Sequence, residues 1–227
     1  MNVILVGAQK NDMGKTLISI KMAIELAASG KKVLMADLSS GKVKMSEYLK
    51  TDENIIYDIV DVAMGTCTLD RGTIEINENL SLLPSPRAEG KVNEINKELF
   101  VNLLNNIENY DYVIVDADKI TSAYIDFSKI QNVISINNND FSCIKEINSD
   151  MEISLKAANF IVVINRYNKK KAGKGTMMKL KDIEKLTETA AAAVIEENAK
   201  YSDIVYEMFF DDNFLKNEIS KIRGTLL

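Results

Sequence analysis

The sequence contains no histidine, which removes the commonest general base and the commonest transition-metal ligand. Chemistry, if there is any, has to run on carboxylates, lysines or a bound Mg²⁺. Cysteine is scarce: Cys67 and Cys143 lie far apart and form no CxxC or CxC pair. No zinc or iron–sulfur site is signalled, and buried free thiols are expected. The only prolines sit in Pro84-Ser85-Pro86, which reads as an exit loop after a strand, so no proline-rich linker divides the chain. No apolar run approaches membrane-spanning length. The run Val3 to Val6 is too short for a signal-peptide core and lacks a basic leader, so the cytoplasm is the expected location. Basic charge is not in excess either. A formal net charge of −5 argues against a surface built throughout for nucleic acid and leaves only regional binding open.

What is present suits one sizeable domain. A chain of 227 residues, 46% of them hydrophobic, can bury well over half of its unfolded surface, and a second folded domain would be cramped. Short apolar runs recur at Val3–Val6, Val33–Ala36, Leu80–Leu83, Tyr112–Val115, Val133–Ile136, Phe160–Ile164 and Ala191–Ile195. These predict about seven strands, and their lack of polar alternation predicts cover on both faces, as in a parallel sheet. Between them lie helical patterns such as Leu17, Ile20, Ala23, Ile24 and Leu26, ending near Gly30. Strand and helix in alternation predict a doubly wound, mostly parallel α/β sheet with helices on both faces, its ligands at the carboxyl ends of the strands.

At one such end stands Gln9-Lys10-Asn11-Asp12-Met13-Gly14-Lys15-Thr16. A P-loop needs backbone N–H groups wrapped around phosphates, a helix N-terminus aimed at them, a lysine and a hydroxyl for Mg²⁺. Gly14, Lys15 and Thr16 supply the ending in the right order, but Gln9 stands where the strict motif has a glycine. A bare Gly-Lys-Thr also occurs by chance in a helix cap. Its context, after a strand and before a periodic helix, with Asp116 ending a later strand, favours one P-loop nucleotide-binding domain over residues 1–227.

Lys10, three residues, then Gly14-Lys15-Thr16 resembles the deviant Walker A segment of the MinD/ParA family, Lys-Gly-Gly-x-Gly-Lys-Thr. The resemblance implies a P-loop NTPase fold, ATP and Mg²⁺ as ligands, and a homodimer closed over the nucleotide face. Lys10 takes the place of the signature lysine that reaches across that dimer to the partner's phosphates. Asn11 and Asp12 replace the two glycines; both residue types tolerate left-handed backbone better than most. Asp12 would repel a polyphosphate unless it turned to solvent or paired with a lysine such as Lys10.

The likeness extends over nearly the whole chain. Asp37 matches a carboxylate that helps organise the Mg²⁺ shell, and Asp116 matches the Mg²⁺-linked aspartate, so Thr16, with Asp37 and Asp116 through water, is the implied metal set. The family's second aspartate in Asp-x-Asp, beside the attacking water, is Ser39 here. Losing that carboxylate should slow turnover without preventing binding, unless a neighbouring carboxylate substitutes. The family's proline and glycine after the Asp116 position are absent from Ala117-Asp118-Lys119. Asn165-Arg166-Tyr167-Asn168 resembles the base-contacting stretch of the MinD branch, with a structural loop cap as the other reading of Asn165. The implied nucleotide set is Lys10 to Leu17, including Met13, with Asn165 and Arg166; Lys10 and Lys15 are the implied catalytic groups.

Members of the MinD branch end in an amphipathic membrane-binding helix. Leu215, Ile219, Ile222 and Leu226 form one apolar face here, but they fall where the family's final core helix should lie, so core packing is expected and membrane recruitment would run through a protein partner. The basic run from Lys169 to Lys181 has three readings: a solvated surface, a dock for an acidic partner, or non-specific DNA binding as in ParA relatives. The expected function is an ATP-dependent dimer acting as a spatial-organisation or regulatory switch with weak or absent hydrolysis. The alternatives are a pseudo-ATPase scaffold and a ParA-like DNA-partition ATPase.

Overall fold

Eight strands make up a single sheet in the computed structural model, which describes residues 1–41, 43–201 and 204–227. They are β1 (Asn2–Gly7), β2 (Val33–Leu38), β3 (Ile74–Asn77), β4 (Leu80–Leu83), β5 (Tyr112–Ala117), β6 (Asn132–Asn137), β7 (Asn159–Tyr167) and β8 (Ala191–Glu196). Their order across the sheet is β3-β4-β2-β5-β1-β6-β7-β8, and every pairing is parallel except β3 with β4. All seven apolar runs are strands. The eighth, β3, does not read as an apolar run because Ile74-Glu75-Ile76-Asn77 alternates between half-buried and exposed positions on an edge. The strands inside the sheet are instead buried on both faces, and β8, on the other edge, keeps apolar side chains on its half-buried face.

The two faces are built from alternate residues of the same strands, as the two-residue period of a strand requires. In β1, Ile4 and Val6 join a core with Ile18, Ile20 and Leu26 of the Lys15–Ala28 helix and with Ile219 and Ile222 of the Lys216–Arg223 helix. Val3 and Leu5 join the opposite core, with Phe100 and Leu103 of the Lys97–Asn105 helix. Each fully buried aliphatic side chain contributes about 1.5–3 kcal/mol. The last helix therefore packs as a core element, and no helix among the described residues is long and apolar enough to cross a membrane.

The Lys15–Ala28 helix ends just before Gly30, whose φ of 80° takes the left-handed turn. Lys21, in its middle, is 1% exposed. Its ammonium is nevertheless satisfied, by Glu25 at 2.9 Å and by the backbone carbonyls of Phe209 at 3.0 Å and Asp211 at 2.9 Å. That closes the account a buried cation requires and ties this helix to the C-terminal segment. Of the two thiols, Cys143 is buried and pushed up to about 12 by that burial, whereas Cys67 is only half-buried, a departure from the expectation of two buried thiols.

Candidate phosphate and base site

β1 lies at the centre of the sheet, between β5 and β6, so the loop leaving it opens at the carboxyl edge where ligands collect in such folds. Two residues of that loop have left-handed backbone: Asp12 with φ 57° and Gly14 with φ 84°. Aspartate thus adopts the conformation that a glycine would otherwise supply. Its carboxylate is exposed, and Lys10 is not its partner; of the two escapes open to Asp12, turning to solvent is the one taken. Asn11 is exposed as well, and Met13 and Leu17 are half-buried.

Lys10 is held instead by the start of the Cys143–Ile153 helix. Its Nζ lies 2.6 Å from Asp140 and 3.0 Å from Glu146, and it also donates to the Ser142 hydroxyl. Burial works to lower its pKa, but the hydrogen bonds to Asp140 and Glu146 outweigh it and the net shift is upward. Gln9 is anchored on the same helix: its amide donates to Asp150 and, at 3.3 Å, to the Ile120 carbonyl. Asp150 is fully buried and also accepts from the Ser135 hydroxyl at 2.6 Å. Desolvation pushes its carboxyl up to about 6 in spite of these bonds. Asp140, Glu146 and Asp150 carry no marker in the sequence beyond the four-residue spacing that sets Glu146 and Asp150 on one helical face.

Behind the loop, Lys15 is buried, with Nζ 3.5 Å from the Lys10 carbonyl. Thr16 Oγ1 donates to Asp116 at 2.6 Å and Ser19 Oγ at 3.3 Å. Asp37 and Asp116 are register partners across β2 and β5 and both are fully buried. Burial, then the Asp37 charge, raises Asp116 to about 7; burial raises Asp37 against three donors, the Ser39 N–H at 2.9 Å, the Ser39 hydroxyl at 2.6 Å and the Met45 N–H at 3.0 Å. Ser39 is therefore turned inward as a partner of Asp37. Two adjacent buried carboxyls beside a threonine hydroxyl and a lysine suit a cation that would offset their repulsion. No cluster of three or more acidic, cysteine or histidine side chains forms a cage among the described residues.

On the other side of the loop a cavity of about 360 Å³ runs from Gly14 and Leu17 past Asn165 and Arg166 to Glu196 and Tyr201. Asn165 Nδ2 donates to the Met13 carbonyl at 2.7 Å, and its Oδ1 accepts from the Arg166 N–H at 2.9 Å. It both lines the cavity and braces the loop, as a loop cap would. Arg166 is exposed, with a left-handed φ of 54°. The basic run beyond it is a short helix, Lys169–Gly173, capped by Asn168, followed by the Leu180–Thr187 helix. Lys169, Lys170, Lys171, Lys174, Lys179 and Lys181 are all exposed.

A family described as an AAA domain matches residues 1–125. Among curated relatives, the septum site-determining protein MinD of Helicobacter pylori is 32% identical over 118 residues, 51% of this chain and 44% of that protein. The MinD of Synechocystis is 25% identical over 207 residues, 87% of this chain and 77% of that one. The chain thus spans under half the length of the first relative and about three quarters of the second. Among solved structures, the MinC:MinD cell division protein complex of Aquifex aeolicus superposes with a TM-score of 0.84 at 23% identity, covering 100% of this chain and 98% of that one. MinD of Pyrococcus horikoshii complexed with Mg-ADP gives 0.79 at 19%, covering 97% and 93%. At such identities these two establish the fold.

Proposed function

Because this chain belongs to the MinD/ParA family of P-loop ATPases, we propose that it binds ATP with Mg²⁺ and forms an ATP-dependent homodimer through the nucleotide face. In this reading it is a spatial-organisation or regulatory switch with slow turnover. The observation that carries the reading is the left-handed Gly14 placed directly before buried Lys15 and the Thr16–Asp116 pair. Lys15 and the loop amides hold phosphates. Thr16 ligates Mg²⁺, with Asp37 and Asp116 acting through water, and Asn165 and Arg166 meet the base. A bound Mg²⁺ neutralises phosphate charge; the chain's own part is to fix the loop and keep the carboxyls beneath it.

Lys10 is the residue whose task changes on assembly. Its hold by Asp140, Glu146 and Ser142 suits a resting monomer, from which the lysine must be released to reach a partner's phosphates. The inward Ser39 supports slow hydrolysis. The relative from Aquifex aeolicus is named as a complex with MinC, which supports a protein partner here too, with location set through that partner. The exposed lysines from Lys169 to Lys181 leave non-specific DNA binding as a lesser, salt-sensitive property. A nucleotide-free scaffold is the second reading, favoured by the exposed Asp12 carboxylate at the loop.

Light scattering of the purified protein tests assembly. Mass should double with Mg·ATP, stay monomeric with Mg·ADP, and fail to double in Lys10→Ala. An unchanged monomer in Mg·ATP refutes the dimer.

A further inference from the structure

We propose that Asp118 orients the water that attacks the terminal phosphate, in place of the carboxylate that position 39 lacks. This role presupposes the ATP site proposed above and adds to it a residue for turnover. Attack on a γ-phosphate is catalysed by positioning and charge stabilisation, so the side chain required is a hydrogen-bond acceptor fixed beside the water. Most carboxylates on the carboxyl edge are committed elsewhere. Asp37 accepts from Ser39 twice and from Met45; Asp116 accepts from Thr16 and Ser19. Both are fully buried. Asp140 and Glu146 hold Lys10.

Asp118 is different in place and in bonding. β2 and β5 run parallel with Leu38 opposite Ala117, so one more step in register sets Asp118 opposite Ser39. Adjacent strands lie about 5 Å apart, so Asp118 and Ser39 share one stretch of the carboxyl edge. The exit of β2 also holds Asp118 directly: the Ser40 N–H donates to Oδ2 at 2.8 Å, and the Ser40 hydroxyl donates to the same oxygen. Oδ1 has no protein partner among the described residues, and Asp118 is half-buried. One oxygen is fixed by the strand exit while the other is left to accept from water. The carboxylate missing from one strand end is thus supplied from its neighbour, within the segment Ala117-Asp118-Lys119 that lacks the family's proline and glycine.

Single-turnover ATP hydrolysis, binding of a fluorescent ATP analogue and the lifetime of the ATP-bound dimer test this in wild type, Asp118→Asn, and Asp118→Asn combined with Ser39→Asp. The expected result for Asp118→Asn is a hydrolysis rate about tenfold lower or less still, an unchanged analogue affinity and melting temperature, and a dimer that persists correspondingly longer. Returning the carboxylate at position 39 should recover part of the rate. An unchanged rate in Asp118→Asn overturns the role, as does a rate loss matched by an equal loss of affinity or accompanied by unfolding. If wild type binds the analogue but never hydrolyses ATP, the role of Asp118 fails alone. If wild type does not bind it, the ATP site fails first.

Discussion

Replacing Gly14 by alanine tests the geometry of the phosphate loop without assuming any ligand. A methyl group built on Gly14 would lie 2.4 Å from Asn165 Nδ2, and the backbone there has φ 84°. Asn165 cannot retreat freely, since its amide holds the Met13 carbonyl and its carbonyl holds the Arg166 N–H. Left-handed backbone costs an L-residue about 1–2 kcal/mol, and losing the Asn165 bond to Met13 costs about 1 kcal/mol more. The expected total is about 2–3 kcal/mol. Gly30 is the internal control, with φ 80° and nothing within 4 Å of its would-be methyl, so Gly30→Ala should show only the first cost. Urea titrations with unchanged slopes of about 2 kcal/mol/M should place the Gly14→Ala midpoint roughly 1 M below wild type and clearly below that of Gly30→Ala. Asn165→Ala in the Gly14→Ala background should be less destabilising than the two changes summed. Equal midpoints for the two glycine variants would refute the contact.

Stability should fall as pH rises from about 4 to about 7. Asp116, pushed up to about 7, and Asp150, pushed up to about 6, bind protons more tightly folded than unfolded, so their contribution is complete below the unfolded carboxylate pKa and is lost as pH climbs through the folded values. Thermal melts of Asp150→Asn and Asp116→Asn across that range should show a flatter profile than wild type; a parallel profile contradicts the assignment. Ile219→Ala, at a fully buried position in the last helix, should cost about 2–5 kcal/mol in chemical unfolding, whereas Lys221→Ala, on its exposed face, should be near neutral. Similar values would mean that the helix is not a core element.

The parallel strands were legible because each is a short apolar run, and the first and last helices because their apolar stripes keep helical spacing. β3 was not, since four alternating residues on an edge carry no such signature. Lys10, Gly14, Lys15 and Thr16 stand in one local segment, and Asp37 and Asp116 end strands that the pattern already placed, so their convergence could be anticipated. The partners of the loop could not. Gln9 meets Asp150 and Lys10 meets Asp140 and Glu146 across more than 120 residues of sequence, and only the adjacency of β1 and β6 brings them together. Ser39 looked like a simple loss, yet its hydroxyl serves Asp37, and the carboxylate at Asp118 becomes visible only when β2 and β5 are set in register.

Whether a loop in which Gln9, Asn11 and Asp12 stand for glycines still holds nucleotide is settled most directly by calorimetric titration of the nucleotide-free protein with Mg·ATP. Saturable binding by wild type, lost in Lys15→Ala while the fold remains intact, is the predicted result. Absence of saturable binding at millimolar Mg·ATP, or equal binding by wild type and Lys15→Ala, would contradict a functional phosphate site.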